Sequence, residues 1–305
     1  MKKKLHLFLA FALFGGAVHA AEPAAASSAI SNSAPLYRPA ETPEQHDARM
    51  AWWRDGKFGL FIHRGLFSNA AGYWEGKPVG GLGEWIMRDG HIPVADYAGL
   101  AKTFNPTRFN ADARISLAKQ AGIKYIIITK HHDGFAMFKT DVDDFNIVEG
   151  APYHQDTLAQ IAAACHKQGI KLGIYYSQNY DWHHPGGGIA GPSWDPAQKG
   201  DPDQYVQGVV VPQLHELLTH YGEVSALWFD IPGGVINLPR ADLIAHEVIQ
   251  DQPNIVIDNR LGGGYAGDCP DTGTVYSGRR IPRLRLGIVH HDERYLGIQG
   301  GRSPL

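Results

Sequence analysis

The fold class predicted by the sequence is α/β, a TIM-like (β/α)8 barrel that is truncated after about five strands. Short apolar runs alternate with helical patterns along the chain, which indicates parallel βαβ units. Polar and aromatic residues follow the apolar runs, as they do where strand ends meet at one face of a barrel. The alternation stops after Asp268, so the predicted barrel is incomplete.

Five apolar runs are predicted as strands buried on both faces, because they contain few polar residues. These runs are residues 58–63, 123–129, 170–176, 226–229 and 255–258. Helical patterns separate them: Asp156 is suited to cap a helix, and apolar residues with helical spacing follow it. Gly122 and Gly169 suit helix ends directly before strands.

The first 20 residues have the layout of a secretory signal peptide. Three lysines precede an apolar stretch that is too short to span a bilayer, and small residues at Val18 and Ala20 suit cleavage before Ala21. This layout predicts a periplasmic or secreted protein with no stable membrane insertion after cleavage. Residues 21–43 are rich in Ala, Ser and Pro and are predicted as a flexible leader, with folding beginning near Gln45.

The composition suits one soluble domain over residues 45–268. The chain is 44% hydrophobic with a formal net charge of -3, which disfavours nucleic acid as a partner. Cys165 and Cys269 are able to pair in an oxidising compartment, but their spacing matches no zinc pattern. Cys165 lies on an apolar helical stripe, which favours a buried free thiol.

The predicted strand ends carry imidazole, aromatic and carboxyl groups, which suit the recognition of a sugar. These ends are residues 63–65, 130–134, 175–179 and 228–230. In a barrel they converge on one pocket. Glu84 and Trp85, with Tyr73 and Trp74 upstream, suit either a loop over that pocket or simple packing.

Two of these features have a structural alternative. His131 and His132 fit a hydrogen-bonded structural pair or a metal site as well as sugar binding, although their position at a strand end favours function. Asp230 fits the N-cap of a following helix as well as a catalytic carboxylate, and its aromatic neighbours favour catalysis.

Several motifs in one order carry a family resemblance. They are Phe58-Gly-Leu-Phe-Ile-His63, Gly83-Glu-Trp85, Lys130-His-His-Asp-Gly-Phe135, Tyr175-Tyr-Ser177 and Leu227-Trp-Phe-Asp230. Together they resemble glycoside hydrolase family 29, the α-L-fucosidases, over about residues 45–268. The resemblance implies a retaining exo-glycosidase that acts on fucosylated glycans or oligosaccharides without a cofactor or metal.

The same resemblance implies the roles of individual residues. Asp230 is then the nucleophile of a two-carboxylate double displacement, whose acid/base residue is not identified. The residues implied to bind substrate are His63, Glu84, Trp85, His131, His132, Tyr175, Trp228 and Arg260.

The chain departs from the family pattern at two places. Arg64 follows His63 where the family usually has Trp. After Asp268, segments resembling Thr-Pro-Glu and Asp-Trp-Glu are expected, with the acid/base glutamate, but a different sequence follows. A neighbouring reading frame permits both segments, which predicts a frameshift near Cys269 and a non-native tail over residues 269–305 with no patterned strands.

Two other functions compete with hydrolysis by this mechanism. One is an inactive fucose-binding remnant that lacks the acid/base carboxylate. The other is a metal-dependent barrel hydrolase that uses His131, His132 and Asp230. The metal alternative is disfavoured because adjacent residues of a strand point to opposite faces.

Overall fold

A mainly parallel β-sheet forms the centre of the fold in the computed structural model, which describes residues 41–188, 193–269 and the backbone of residues 287–289. Its strands are β1 Gly59–Ile62, β4 Tyr125–His132, β5 Phe135–Ala136, β6 Lys171–Tyr176, β7 Ala226–Phe229, β8 Val256–Ile257 and β9 Gly287–Val289, while β2 Tyr73–Trp74 and β3 Lys77–Pro78 form a separate hairpin. The sheet order is β8-β7-β6-β4-β1-β9, and β5 pairs with β4. All neighbours in that order are parallel, whereas β5 is antiparallel.

The prediction of a parallel α/β fold is confirmed, and each of the five predicted strands is present. The second run begins later and continues through His132, because His131 and His132 still pair with β5. The expectation of no strand in the tail was wrong: β9 pairs with the edge of β1 that faces away from β4. An edge strand presents unpaired backbone groups, so even a short segment is able to pair there.

Nine α-helices lie among the described residues. They are α1 Pro43–Gly56, α2 Phe67–Ala70, α3 Ile86–Asp89, α4 Val94–Ala98, α5 Ala111–Gln120, α6 Thr157–Gln168, α7 Pro202–Tyr205, α8 Val211–Thr219 and α9 Leu238–Asp251. Short 3-10 turns cover Gly83–Trp85, Gly99–Thr103 and Pro196–Gln198, and a π-turn covers Val206–Val210. Asp156 caps α6 as predicted, because its carboxylate accepts the N–H of Leu158 at 2.7 Å. Among the residues that the structure describes, no helix has the length and apolarity needed to cross a bilayer.

The main core lies between the sheet and helices α5, α6, α8 and α9. Their apolar faces are buried with the side chains of β4, β6 and β7. Cys165 is fully buried in this core as a free thiol, and Cys269 is half-buried. Burial raises the pKa of the Cys165 thiol to about 12. The prediction of a buried free thiol at Cys165 is confirmed.

The ordered start of the fold lies slightly before the predicted one. Thr42 and Gln45 form a capping box at α1, so the helix begins inside the segment predicted as leader. Arg49 on α1 pairs with Glu41 at 2.8 Å and with Asp268 at 2.7 Å, which joins the first helix to the segment after β8. The predicted signal peptide, leader residues 21–40 and tail residues 270–286 and 290–305 lie outside the described residues.

Candidate active site

The C-terminal ends of β1, β4, β6 and β7 bring imidazole, phenol and carboxyl groups together. His63 follows β1, and its ring centroid lies 5.2 Å from that of His132 and 5.0 Å from that of Tyr175. Asp230 follows β7 directly, and its carboxylate accepts a hydrogen bond from the Tyr175 hydroxyl. Parallel neighbours end at the same edge, so residues far apart in the sequence meet there.

Both carboxylate oxygens of Asp230 have partners. Tyr175 Oη donates to Oδ2 at 2.8 Å, while Arg260 Nε and the Ile231 N–H each donate to Oδ1 at 2.8 Å. A second guanidinium nitrogen of Arg260 also contacts Oδ1. The Asp230 side chain is still 23% exposed, so a carboxylate with fixed orientation remains open to a ligand. It caps no helix, since Asn237 is the N-cap of α9.

Tyr175 is a permanent hydrogen-bond donor in this arrangement. Burial first, and then the charge of Asp230, raise the pKa of Tyr175 well above its ordinary value. The charge of Glu84 also raises this pKa, which places Glu84 within electrostatic reach of Tyr175. The phenol therefore keeps its proton and donates it towards Asp230.

Thr129 holds the ring of His63 in place. His63 Nδ1 lies 2.6 Å from the Thr129 hydroxyl oxygen, which is also 3.3 Å from the Ile62 carbonyl oxygen. This contact fixes the orientation of the imidazole ring beside Tyr175 and His132. The nitrogens of an imidazole ring are able to form hydrogen bonds with sugar hydroxyls.

Aromatic side chains form the walls around these polar groups. Trp228 packs edge-on against Phe61 at 5.6 Å, and Phe61 lies 5.7 Å from Tyr175. Trp85, on the 3-10 turn after β3, lies 5.2 Å from Tyr180, which in turn contacts His132. The predicted residues that the structure brings together are His63, Glu84, Trp85, His132, Tyr175, Trp228, Asp230 and Arg260. Their binding of substrate stays a prediction.

His131 lies on the opposite face of β4 from this cluster. Its Nδ1 is 2.8 Å from Gln213 Oε1, its Nε2 is 3.1 Å from Asp181 Oδ2, and the ring is fully buried. Alternation along the strand separates it from His132. The structure therefore does not bring His131 into the cluster that the resemblance implies, nor does it bring together the three side chains of the metal alternative.

Asp181 is the centre of the buried network that holds His131. Its carboxylate accepts from the N–H groups of His183 at 3.1 Å and His184 at 2.8 Å, and it contacts His184 Nδ1 at 2.5 Å. His184 Nε2 also pairs with Asp143. Burial alone lowers the pKa of His184, but the two carboxylates outweigh it and raise that pKa to about 10.

Two buried polar residues beside Asp230 were not predicted. Gln178 Oε1 accepts the Asp230 N–H at 3.1 Å, and Asp258 Oδ1 accepts the Phe229 N–H at 3.2 Å. Burial, as the largest cause, raises the pKa of Asp258 well above its ordinary value. The sequence signal that could have identified these two residues is their position at the ends of predicted strands.

The sequence and the fold of the chain are similar to those of known α-L-fucosidases. The family profile described as Alpha-L-fucosidase matches residues 24–279. Tissue α-L-fucosidase of Bos taurus is 30% identical over 190 residues, which cover 59% of this chain and 38% of the relative. Plasma α-L-fucosidase of Homo sapiens is 29% identical over 205 residues, which cover 63% of this chain and 42% of the relative. The chain thus spans less than half the length of these two curated relatives.

A solved bacterial structure is also similar. The unliganded α-L-fucosidase AlfC from Lactobacillus casei aligns with a TM-score of 0.66 at 38% identity, and the alignment covers 72% of each chain. Variants of AlfC have been solved in complex with Fuca(1,6)GlcNAc and with 4-nitrophenyl-a-L-fucopyranoside. AlfC is therefore a relative whose ligands are small α-L-fucosides.

Proposed function

The chain belongs to the α-L-fucosidase family, and from this premise we propose that it hydrolyses terminal α-L-fucosyl linkages with Asp230 as the nucleophile. The observation that carries the proposal is the Asp230 carboxylate, which is partly exposed and held by Tyr175 and Arg260. Arg260 forms a charge-assisted hydrogen bond with this carboxylate, and Tyr175 fixes its orientation. His63 supplies a polar imidazole ring, and the aromatic walls supply the apolar faces that a fucose ring needs.

The reaction is a double displacement with retention of configuration. Asp230 attacks the anomeric carbon and forms a covalent fucosyl-enzyme while the aglycone leaves, and water then attacks the same carbon and restores the carboxylate. A second carboxyl at about 5 Å from the first protonates the leaving oxygen and later deprotonates the water.

Several wider features belong to the same proposal. The sequential order of β1, β4, β6, β7 and β8 supports a TIM-like barrel whose later strands are missing from the pattern. The amino-terminal layout supports export to the periplasm or the medium. Fucosylated oligosaccharides are the substrates, with α1,6-linked fucosyl-GlcNAc as a first probe, because a variant of the relative AlfC was solved with that ligand.

Fucose binding without turnover is the second candidate. It is favoured by the departure from the family pattern after Asp268, where the acid/base glutamate is expected. The α1,6-linked fucosyl-GlcNAc separates the two candidates, because its sugar alkoxide leaves only when an acid protonates it, whereas nitrophenolate leaves without protonation. Release of fucose from this disaccharide with retained anomeric configuration, followed by proton NMR, supports the hydrolase, and Asp230-dependent fucose binding without release supports the remnant.

Replacement of Tyr175 by phenylalanine is expected to lower kcat/KM for 4-nitrophenyl α-L-fucoside by about ten- to a hundredfold. The variant loses the hydrogen bond to Asp230 Oδ2, and a hydrogen bond to a charged group is worth about 1.5–3 kcal/mol. Steady-state kinetics measure the change. Tyr176→Phe is the matched control, since its neighbouring hydroxyl bonds Gln213 on the opposite face. Equal losses in both variants would contradict a specific role for Tyr175.

A further inference from the structure

The Asp230–Arg260 pair depends on two chain segments that the sheet alone does not hold together. Asp230 follows β7, and Arg260 lies in the loop after β8. The β7–β8 ladder pairs Ala226 with Val256 and Leu227 with Ile257, so it ends before either charged residue. A run of three glycines with positive φ, Gly262 to Gly264, follows the arginine and offers little restraint of its own.

Asp258 joins the two segments through one oxygen atom. Its Oδ1 accepts the N–H of Phe229 at 3.2 Å and the N–H of Arg260 at 3.2 Å. The side chain is only 2% exposed, so water does not compete for these bonds. A single acceptor thus sets the distance between the residue before the nucleophile and the arginine that pairs with it.

Gln178 joins the same segments from the end of β6. Its Oε1 accepts the Asp230 N–H at 3.1 Å, while its Nε2 donates to the carbonyls of Arg260 and Leu261, each at 2.9 Å. The residue is fully buried. The two side chains therefore hold the backbone of both segments. On the nucleophile segment they accept hydrogen bonds from backbone N–H groups. On the arginine segment they accept from one N–H group and donate to two carbonyls.

We propose that Gln178 and Asp258 are positioning residues that jointly hold Arg260 against Asp230, an inference that rests on the proposed function of that pair. The proposal requires different hydrogen-bonding groups at the two positions. Asp258 needs one acceptor oxygen, and its Oδ2 makes no hydrogen bond with any part of the chain that the structure describes, so asparagine satisfies the site. Gln178 needs an acceptor and a donor, so glutamate would set a carboxylate oxygen against two carbonyls.

Three variants test this requirement: Asp258→Asn, Asp258→Leu and Gln178→Glu. With 4-nitrophenyl α-L-fucoside, Asp258→Asn is expected to keep kcat within about threefold of the parent, whereas the other two lose at least about tenfold. Unfolding curves identify the folded fraction. Unchanged kcat per folded molecule in Asp258→Leu and Gln178→Glu would overturn the inference.

A second measurement decides the inference without turnover. In arginine-labelled protein, the NMR signal of the Arg260 Nε–H, assigned with Arg260→Lys, reports whether pairing with Asp230 slows its exchange with water. Slow exchange is expected in the parent and Asp258→Asn, and fast exchange in folded Asp258→Leu and Gln178→Glu. If the parent hydrolyses no fucoside, the proposed function fails, while this exchange pattern still supports or refutes the positioning role.

Discussion

Replacement of Asp230 by alanine is expected to lower nitrophenol release from 4-nitrophenyl α-L-fucoside by roughly three orders of magnitude or more. The reason is that Asp230 forms the covalent bond to the anomeric carbon, and no other side chain takes over this role in the double displacement. The Tyr175 and Arg260 groups that hold the carboxylate would remain in place, so the fold and the sugar contacts are retained. Release of nitrophenol at substrate saturation measures the loss in kcat.

Azide provides the chemical control for this variant. The anion is small enough to occupy the space of the missing carboxylate, where it attacks the anomeric carbon as nitrophenolate leaves. The product is a fucosyl azide of inverted configuration, and its formation is expected to restore part of the nitrophenol release. Asp242→Ala, at an exposed position of α9, is the matched surface control and is expected to behave like the parent. Unaltered turnover in Asp230→Ala would refute the assigned nucleophile.

The strands and the chemistry at their ends were predictable from local sequence. Apolar runs locate β1 and β6 closely, and the residues that follow them are the ones that carry the family motifs. Asp156 and Gly169 also signal the two ends of α6 by their own conformational preferences. These features depend on neighbouring residues, which is why a single sequence reveals them.

Side-chain partners across the fold were not predictable in the same way. His131 was assigned to the pocket by resemblance, but alternation on β4 turns it towards Gln213, which is 82 residues away. Gln178 acts on the backbone of Asp230, 52 residues away, and Arg49 pairs with Asp268, 219 residues away. No periodicity links such positions, because their contacts arise only when the sheet brings separate segments together.

The buried network around Asp181 leads to the largest expected effect on stability. Asp181 is fully buried and holds His184, whose pKa is raised to about 10 from an ordinary value near 6.5. A folded-state pKa above the unfolded value stabilises the protein fully below pH ~6.5, and this stabilisation is lost as the pH rises through about 10. The pKa of Asp181 is held well below its ordinary value: burial would raise it, but His184 and His131 outweigh burial. The contribution of Asp181 is therefore lost only in acid.

Replacement of Asp181 by asparagine is expected to lower the free energy of unfolding at pH 6 by about 3–5 kcal/mol, because it removes one partner of a buried ion pair. Urea unfolding at pH 6 and pH 9.5 measures both this loss and the pH dependence. The parent is expected to lose stability on the order of 3 kcal/mol between these pH values. The stability of His184→Gln is expected to change little between them, since the variant lacks the imidazolium charge at both. His220→Gln, at the exposed end of α8, is expected to follow the parent. A parent curve that is flat between pH 6 and 9.5 would show that His184 is not held as a cation, and His131 would then lack the charged network that fixes it behind β4.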